Sequence, residues 1–130
     1  MIRVFLLEDH IFFRQSLAYL LEREQNLEVV AQAGSLAEAR GTCSHIWSEI
    51  DIAIVDLLLP DGSGTELIRE MRGANPTLRV LALTILQSPK ALREAQTMGA
   101  DEVVSKAAPM EETLGAVRRL TRREGARSGR

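Results

Sequence analysis

Five short apolar runs rich in Val, Ile and Leu punctuate the chain, at residues 2–7, 27–33, 50–55, 78–83 and 102–104. Each is nearly continuous rather than alternating, the pattern of strands covered on both faces, so the runs predict a parallel sheet. Between them the apolar spacing changes to a helical period. Phe13, Leu17, Leu20 and Leu21 share one face of a first helix. Ser35 and Glu38 form a capping box, in which each side chain can meet the other's free backbone N–H. They open a second helix with Leu36, Ala39, Cys43 and Ile46 inward. Gly62 and Gly64 open a third, with Leu67, Ile68 and Met71 inward, and Asn75-Pro76 closes it. A fourth is predicted from about Pro89 to Met98, stopping at Gly99. The last starts with Pro109 in its first turn, where a missing N–H costs nothing, and Glu111 and Glu112 complement its positive dipole end. Residues 125–130 carry no hydrophobic period and read as a frayed tail or the start of a linker.

Five alternations of strand and helix define an α/β, doubly wound sheet with helices on both faces. The composition fits one such unit: 130 residues, 45% apolar and 26% charged. We place the domain at residues 1–123 and the tail at 124–130. A lone cysteine, Cys43, cannot form an internal bridge and suits a reducing, cytoplasmic address. The apolar segment Val4–Leu7 is stopped by Glu8 and Asp9, too short for a signal-peptide core, and no stretch approaches the roughly 18 apolar residues of a membrane span. The formal charge of −2 hides an asymmetry. Residues 118–130 hold six arginines and one glutamate, while residues 1–117 hold ten basic and seventeen acidic groups. An acidic body argues against a nucleic-acid surface on the domain, and Arg118, Arg119, Arg122 and Arg123 are explained by the negative end of the last helix. Only two lysines occur, Lys90 and Lys106.

In open parallel sheets, ligands bind beyond the carboxyl ends of the strands. There the first run ends in Glu8-Asp9, the third in Asp56 and the fourth in Thr84, and Lys106 follows the fifth. Three converging carboxylates repel and raise one another's pKa, so a cation is expected to neutralise them, and Mg²⁺, which favours oxygen ligands, is the natural candidate. Thr84 can hydrogen-bond a phosphoryl oxygen and Lys106 can pair with its charge. Phosphoryl transfer needs mainly positioning and neutralisation, which these groups supply. Central Asp56 is the candidate nucleophile, giving an aspartyl-phosphate.

With these residues the chain resembles the receiver domains of bacterial two-component response regulators, over nearly its whole length. The matching features are the pair Glu8 and Asp9, Asp56 within VDLLLPDGSG, Thr84 in LALT, and Lys106 in GADEVVSK. The opening LLEDHIFFRQSL further resembles receivers of LuxR/NarL-type transcriptional regulators. The resemblance implies a flavodoxin-like (CheY-like) fold with five strands in the order 2-1-3-4-5 and five helices. It implies Asp56 as phosphorylation site, fed by a cognate sensor histidine kinase, and Mg²⁺ held by Asp9, Asp56 and the backbone carbonyl of Leu58. Glu8 would act directly or through water, and Thr84 and Lys106 would bind the phosphoryl group. Phosphorylation would bias a two-state element, with a phosphorylation-dependent homodimer as one outcome. DNA would be reached only through an output domain absent from these 130 residues. The expected role is a signalling switch, not an enzyme.

Three positions depart from the family pattern. Val103 stands where an aromatic ring usually does. Ile85 replaces a small residue and is expected to narrow access to Asp56. Leu58 offers no polar atom to orient an attacking water. They support a rival reading, a pseudo-receiver that binds partners without phosphorylation. An enzyme on a similar sheet is the weaker alternative, because no glycine-rich fingerprint follows the first strand and Leu58 occupies the place of a phosphatase's second aspartate. Other polar residues have plainer readings: His10 as loop packing rather than a ligand, Cys43 and His45 as structural, Trp47 as a partly buried anchor, and Asp61 as a turn residue before Gly62.

Overall fold

The computed structural model describes residues 1–85 and 88–128. Strands β1 (Ile2–Leu7), β2 (Leu27–Ala33), β3 (Ile52–Asp56), β6 (Arg79–Thr84) and β7 (Glu102–Ser105) form one parallel sheet in the order β2-β1-β3-β6-β7. This is the expected 2-1-3-4-5 arrangement. Strands β4 (Leu58–Leu59) and β5 (Gly62–Ser63) make a small antiparallel ribbon just beyond β3. The helices are α1 (Ile11–Glu22), α2 (Leu36–Glu38), α3 (Gly64–Ala74), α4 (Pro89–Thr97) and α5 (Met110–Ser128).

Continuous apolar strands send alternate side chains to opposite faces, and two cores result. Val4, Leu6, Ile52, Ile54, Leu81 and Leu83 meet Leu17 and Leu21 of α1 and Leu114, Val117 and Leu120 of α5. Phe5, Leu7, Ala53, Val55, Val80 and Ala82 meet Leu36, Cys43 and Trp47 on one side and Leu67, Ile68 and Met71 of α3 on the other. No helix among the described residues is long and apolar enough to cross a membrane.

The second helical segment departs from the regular helix that its spacing predicts. After the single α turn of α2 the backbone widens into a π-helical stretch, Ala39–Cys43, and then tightens into a 3-10 stretch, Ser44–Glu49. Gly41 gives little helical preference, and Thr42 Oγ1 donates to the Glu38 carbonyl at 2.7 Å, a back-bond that competes with the helical ladder. The shifted turns bury Trp47 and leave Ile46 only partly covered. Buried Asn75 then ties the segment to the end of α3, its Nδ2 donating to the carbonyls of Trp47 at 3.0 Å and Ile50 at 2.7 Å. At the other end of the chain, α5 continues through residues 125–128 although they carry no apolar stripe, because helical hydrogen bonding needs none. Of the predicted tail, Gly129 and Arg130 lie outside the described residues. The arginines of α5 that show partners are ion-paired: Arg118 with Glu24 and Glu111, and Arg119 with Glu102.

Candidate functional site

Strand register brings the site together. Leu7 pairs with Val55, Asp56 with Leu83, and Thr84 with Ser105, so the residues that end β3 and β6 and those that follow β1 and β7 lie along one sheet edge. Glu8, Asp56 and Thr84 are buried, Lys106 is half-buried and Asp9 is exposed. One carboxylate oxygen each from Glu8, Asp9 and Asp56 lies within 4.8 Å of the others. Lys106 Nζ bridges two of them, 2.8 Å from Glu8 Oε1 and 3.1 Å from Asp56 Oδ2. Its ammonium also stands 5.1 Å from the centroid of the Phe13 ring, a cation–π contact that helps hold it. The backbone closes the group: Leu58 N–H donates to Asp56 Oδ1 at 3.0 Å, and Lys106 N–H donates to the Thr84 carbonyl at 2.8 Å.

The loop after Asp56 can run this close only because Gly64 has no side chain. A Cβ there would collide with the Asp56 carbonyl oxygen and with Val55. Ser63 caps α3 by accepting from Thr65 N–H at 3.2 Å, so the helix starts where the loop ends. Asp61 does more than turn the chain: its two oxygens accept from the N–H groups of Leu36 and Ala37, each at 2.9 Å. The capping box at the same helix end forms with a shift, Ser35 Oγ accepting from Glu38 N–H while Glu38 reaches the N–H of Gly34 rather than of Ser35. Loop 57–63 is thereby fastened to α2. Neither the Asp61 contact nor the two hydrogen bonds of Asn75 leave a local trace, because each joins residues more than twenty positions apart.

Burial dominates the electrostatics. It pushes the Glu8 carboxyl up to about 7, against the lowering pull of the Lys106 and His10 hydrogen bonds. Burial likewise raises Asp56, with the Leu58 N–H and Lys106 opposing it. At Lys106, burial acts to lower the ammonium but the hydrogen bond to Glu8 and the charge of Asp56 outweigh it, leaving it raised. Three carboxylates gather around one ammonium here, so negative charge exceeds the cations at the site. The donor set is all oxygen, and its excess charge suits a hard divalent cation of the Mg²⁺ type.

The other sequence candidates fall around this centre. His10 caps α1, its Nδ1 accepting from Phe13 N–H at 3.2 Å, and stands outside the carboxylate cluster. Cys43 is buried in the core beside Thr42, and His45 is exposed. Leu58 and Ile85 are both exposed, and Ile85 lines a groove of about 490 Å³ with Phe12, Phe13, Lys106 and Met110. Val103 is half-buried and lines a cleft of about 520 Å³ between α4 and α5.

Such a carboxylate cluster and lysine on a sheet of this order define a phosphoacceptor class of module, and the comparisons say which. The family model for the response regulator receiver domain matches residues 4–118. The chain belongs to that family, whose general role is phosphoacceptor signalling. It is 41% identical over 106 residues to the DNA-binding transcriptional activator DevR/DosR of Mycobacterium tuberculosis, covering 82% of this chain and 48% of that protein. Among solved structures it resembles a LuxR-family two-component response regulator from Aurantimonas, with 30% identity, a TM-score of 0.79, and 91% of this chain and 83% of that one covered. It also resembles a Burkholderia pseudomallei response regulator, with 28% identity, a TM-score of 0.73, and 89% and 66% covered. The chain spans about half the length of the curated relatives it matches.

Proposed function

We propose that this domain takes a phosphoryl group from the phosphohistidine of a sensor kinase onto Asp56 and relays the change to an output that controls transcription. The observation that carries the reading is Lys106 Nζ bridging Glu8 and Asp56 at the sheet edge where three carboxylates meet. An Asp56 carboxylate oxygen attacks phosphorus, the P–N bond breaks, and the histidine imidazole leaves with its electron pair and takes up a proton. Lys106 offsets charge on the transferring oxygens, and the hydroxyl of Thr84, which ends the strand beside Asp56, would donate a hydrogen bond to one of them. Asp9, Asp56 and the Leu58 carbonyl, with Glu8 directly or through water, would hold Mg²⁺, which when bound neutralises the phosphoryl oxygens. The Burkholderia structure contains a phosphorylated aspartic acid and a calcium ion, which supports assigning both functions to this edge. DNA binding belongs to the output domains of longer relatives such as DevR/DosR, and a phosphorylation-driven homodimer is one way this domain would drive such a partner.

The test is incubation with Mg²⁺ and acetyl phosphate followed by intact mass. One added phosphoryl group, absent from Asp56→Asn, is the expected result. No adduct from acetyl phosphate or from phosphoramidate would overturn the reading in favour of a module that binds without phosphorylation.

A further inference from the structure

The turn between β1 and α1 holds contacts that phosphoryl chemistry leaves unused. Arg14 folds back along the first turn of α1, and its Nη1 donates to the backbone carbonyl of Glu8 at 2.8 Å. Other bonds fix the same turn. Glu8 N–H donates to the Ala33 carbonyl at 3.0 Å, and His10 N–H donates to Glu8 Oε2 at 2.9 Å. Arg14 reaches the remaining polar group of Glu8, its carbonyl, the last one before Asp9. In doing so it leaves its own Nε buried with no hydrogen-bond partner among the described residues, a costly placement for a side chain that could otherwise extend into water. The neighbouring strand end makes room for it. A Cβ on Gly34 would stand 2.7 Å from Arg14 Nη1, so the guanidinium would have to move aside.

We infer that Arg14 is a positioning residue for the acid pair: its guanidinium, admitted by Gly34, clamps the Glu8 carbonyl and fixes the direction in which Glu8 and Asp9 present their carboxylates to Asp56. The inference rests on the proposed phosphoacceptor role. Groups that orient metal-binding residues without touching the ion typically change metal affinity by about 10–100-fold when removed. Because one N–H makes the contact rather than the planar fork, a lysine can replace part of it.

The experiment compares Arg14→Ala, Arg14→Lys and Gly34→Ala with Arg40→Ala, which removes an exposed ion pair to Glu70 elsewhere. Two quantities are read on the 130-residue chain: amide hydrogen exchange in metal-free protein by NMR, and Mg²⁺ affinity by calorimetry. Arg14→Ala and Gly34→Ala are expected to speed exchange at the His10 amide while β3 amides keep their protection, and to weaken Mg²⁺ binding about tenfold. Arg14→Lys is expected to recover most of both, and Arg40→Ala to change neither. Unchanged His10 exchange in both clamp variants overturns the inference. So does a loss of protection spread evenly over the sheet, which would mark Arg14 as an ordinary stabilising contact. If the unaltered chain binds no Mg²⁺ and takes no phosphoryl group, the proposed function fails, and His10 exchange alone still decides whether the clamp exists.

Discussion

At the scale of single residues, the site is organised by an imbalance of charge. Three carboxylates share one ammonium, and the burial that raises Glu8 and Asp56 penalises their ionised forms. Replacing a penalised carboxylate by its neutral amide removes the penalty. Asp56→Asn is therefore expected to raise the melting temperature of metal-free protein at pH 8 and to shrink the further increase produced by Mg²⁺; calorimetric melts with and without the ion measure both. Lys106→Met works the other way. It strips the buried acids of their cation, so they take up protons more readily, and the loss of stability is expected to stay below the roughly 3–5 kcal/mol that breaking a buried pair costs without that compensation. Urea denaturation at pH 8 reads that loss. A further expectation concerns the phosphorylated form. Leu58 is exposed beside the acceptor and has no polar atom to orient water, and Ile85 stands exposed at the neighbouring groove. Hydrolysis of the acyl phosphate is expected to take minutes or longer and to quicken several-fold in Leu58→Asn, followed by the decay of the added mass. A lifetime of seconds in the unaltered chain would contradict it.

At the scale of elements, two long-range contacts fasten what local spacing leaves open: one ties the segment before β3 to the end of α3, the other ties the acceptor loop to α2. Asn75 holds the carbonyls of Trp47 and Ile50; Asn75→Ala would leave the buried Ile50 carbonyl unpaired, at about 1–3 kcal/mol, and the Trp47 carbonyl with only the N–H of Ile50. A lower urea midpoint with unchanged slope is the expected result. Asp61 fastens loop 57–63 to the start of α2, and the N–H groups of Ala37 and Leu36 hold its carboxyl below the usual carboxylate range. A carboxyl lowered by folding contributes stability that is fully present above its unfolded pKa, about 3.9, and is lost as pH falls through the folded value. The melting-temperature gap between the unaltered chain and Asp61→Asn is therefore expected to be constant at neutral pH and to close below about pH 4. These fasteners also mark how far the chain can be read directly. The runs at 2–7 and 27–33 coincide with β1, whose Val4–Leu7 are buried on both faces, and with β2, an edge strand that fully buries only Leu27 and Ala33. Glu8, Asp9, Asp56, Thr84 and Lys106 are legible because each ends or follows a readable strand. The irregular segment from Ala39 to Glu49 is not, because its widening and tightening answer to the fit of Cys43 and Trp47 against β3 and α3, which no local spacing encodes.

At the scale of the whole molecule, the sheet order has an electrostatic consequence. Placing β1 beside β3, with β7 two strands away, gathers acids from positions 8, 9 and 56 at one edge and brings a single lysine across to meet them. The fold therefore creates the candidate site by holding together charges that would separate if the chain unfolded. Glu8 shows the size of this effect most directly, because its carboxyl moves from the ordinary 4.5 to about 7 through burial. Between those values the native chain binds more protons than the unfolded one, so stability falls as pH rises. Metal-free protein is expected to lose melting temperature steadily from about pH 5 to pH 7.5 and to level off above. Glu8→Gln should flatten that slope. Addition of Mg²⁺, which binds the ionised acids, should restore stability more at pH 8 than at pH 6, so the two melting curves diverge as pH rises. A Mg²⁺ effect of equal size at both pH values would mean that the ion acts somewhere other than on these buried carboxylates, and a flat metal-free profile would mean that Glu8 is already ionised in the absence of the ion.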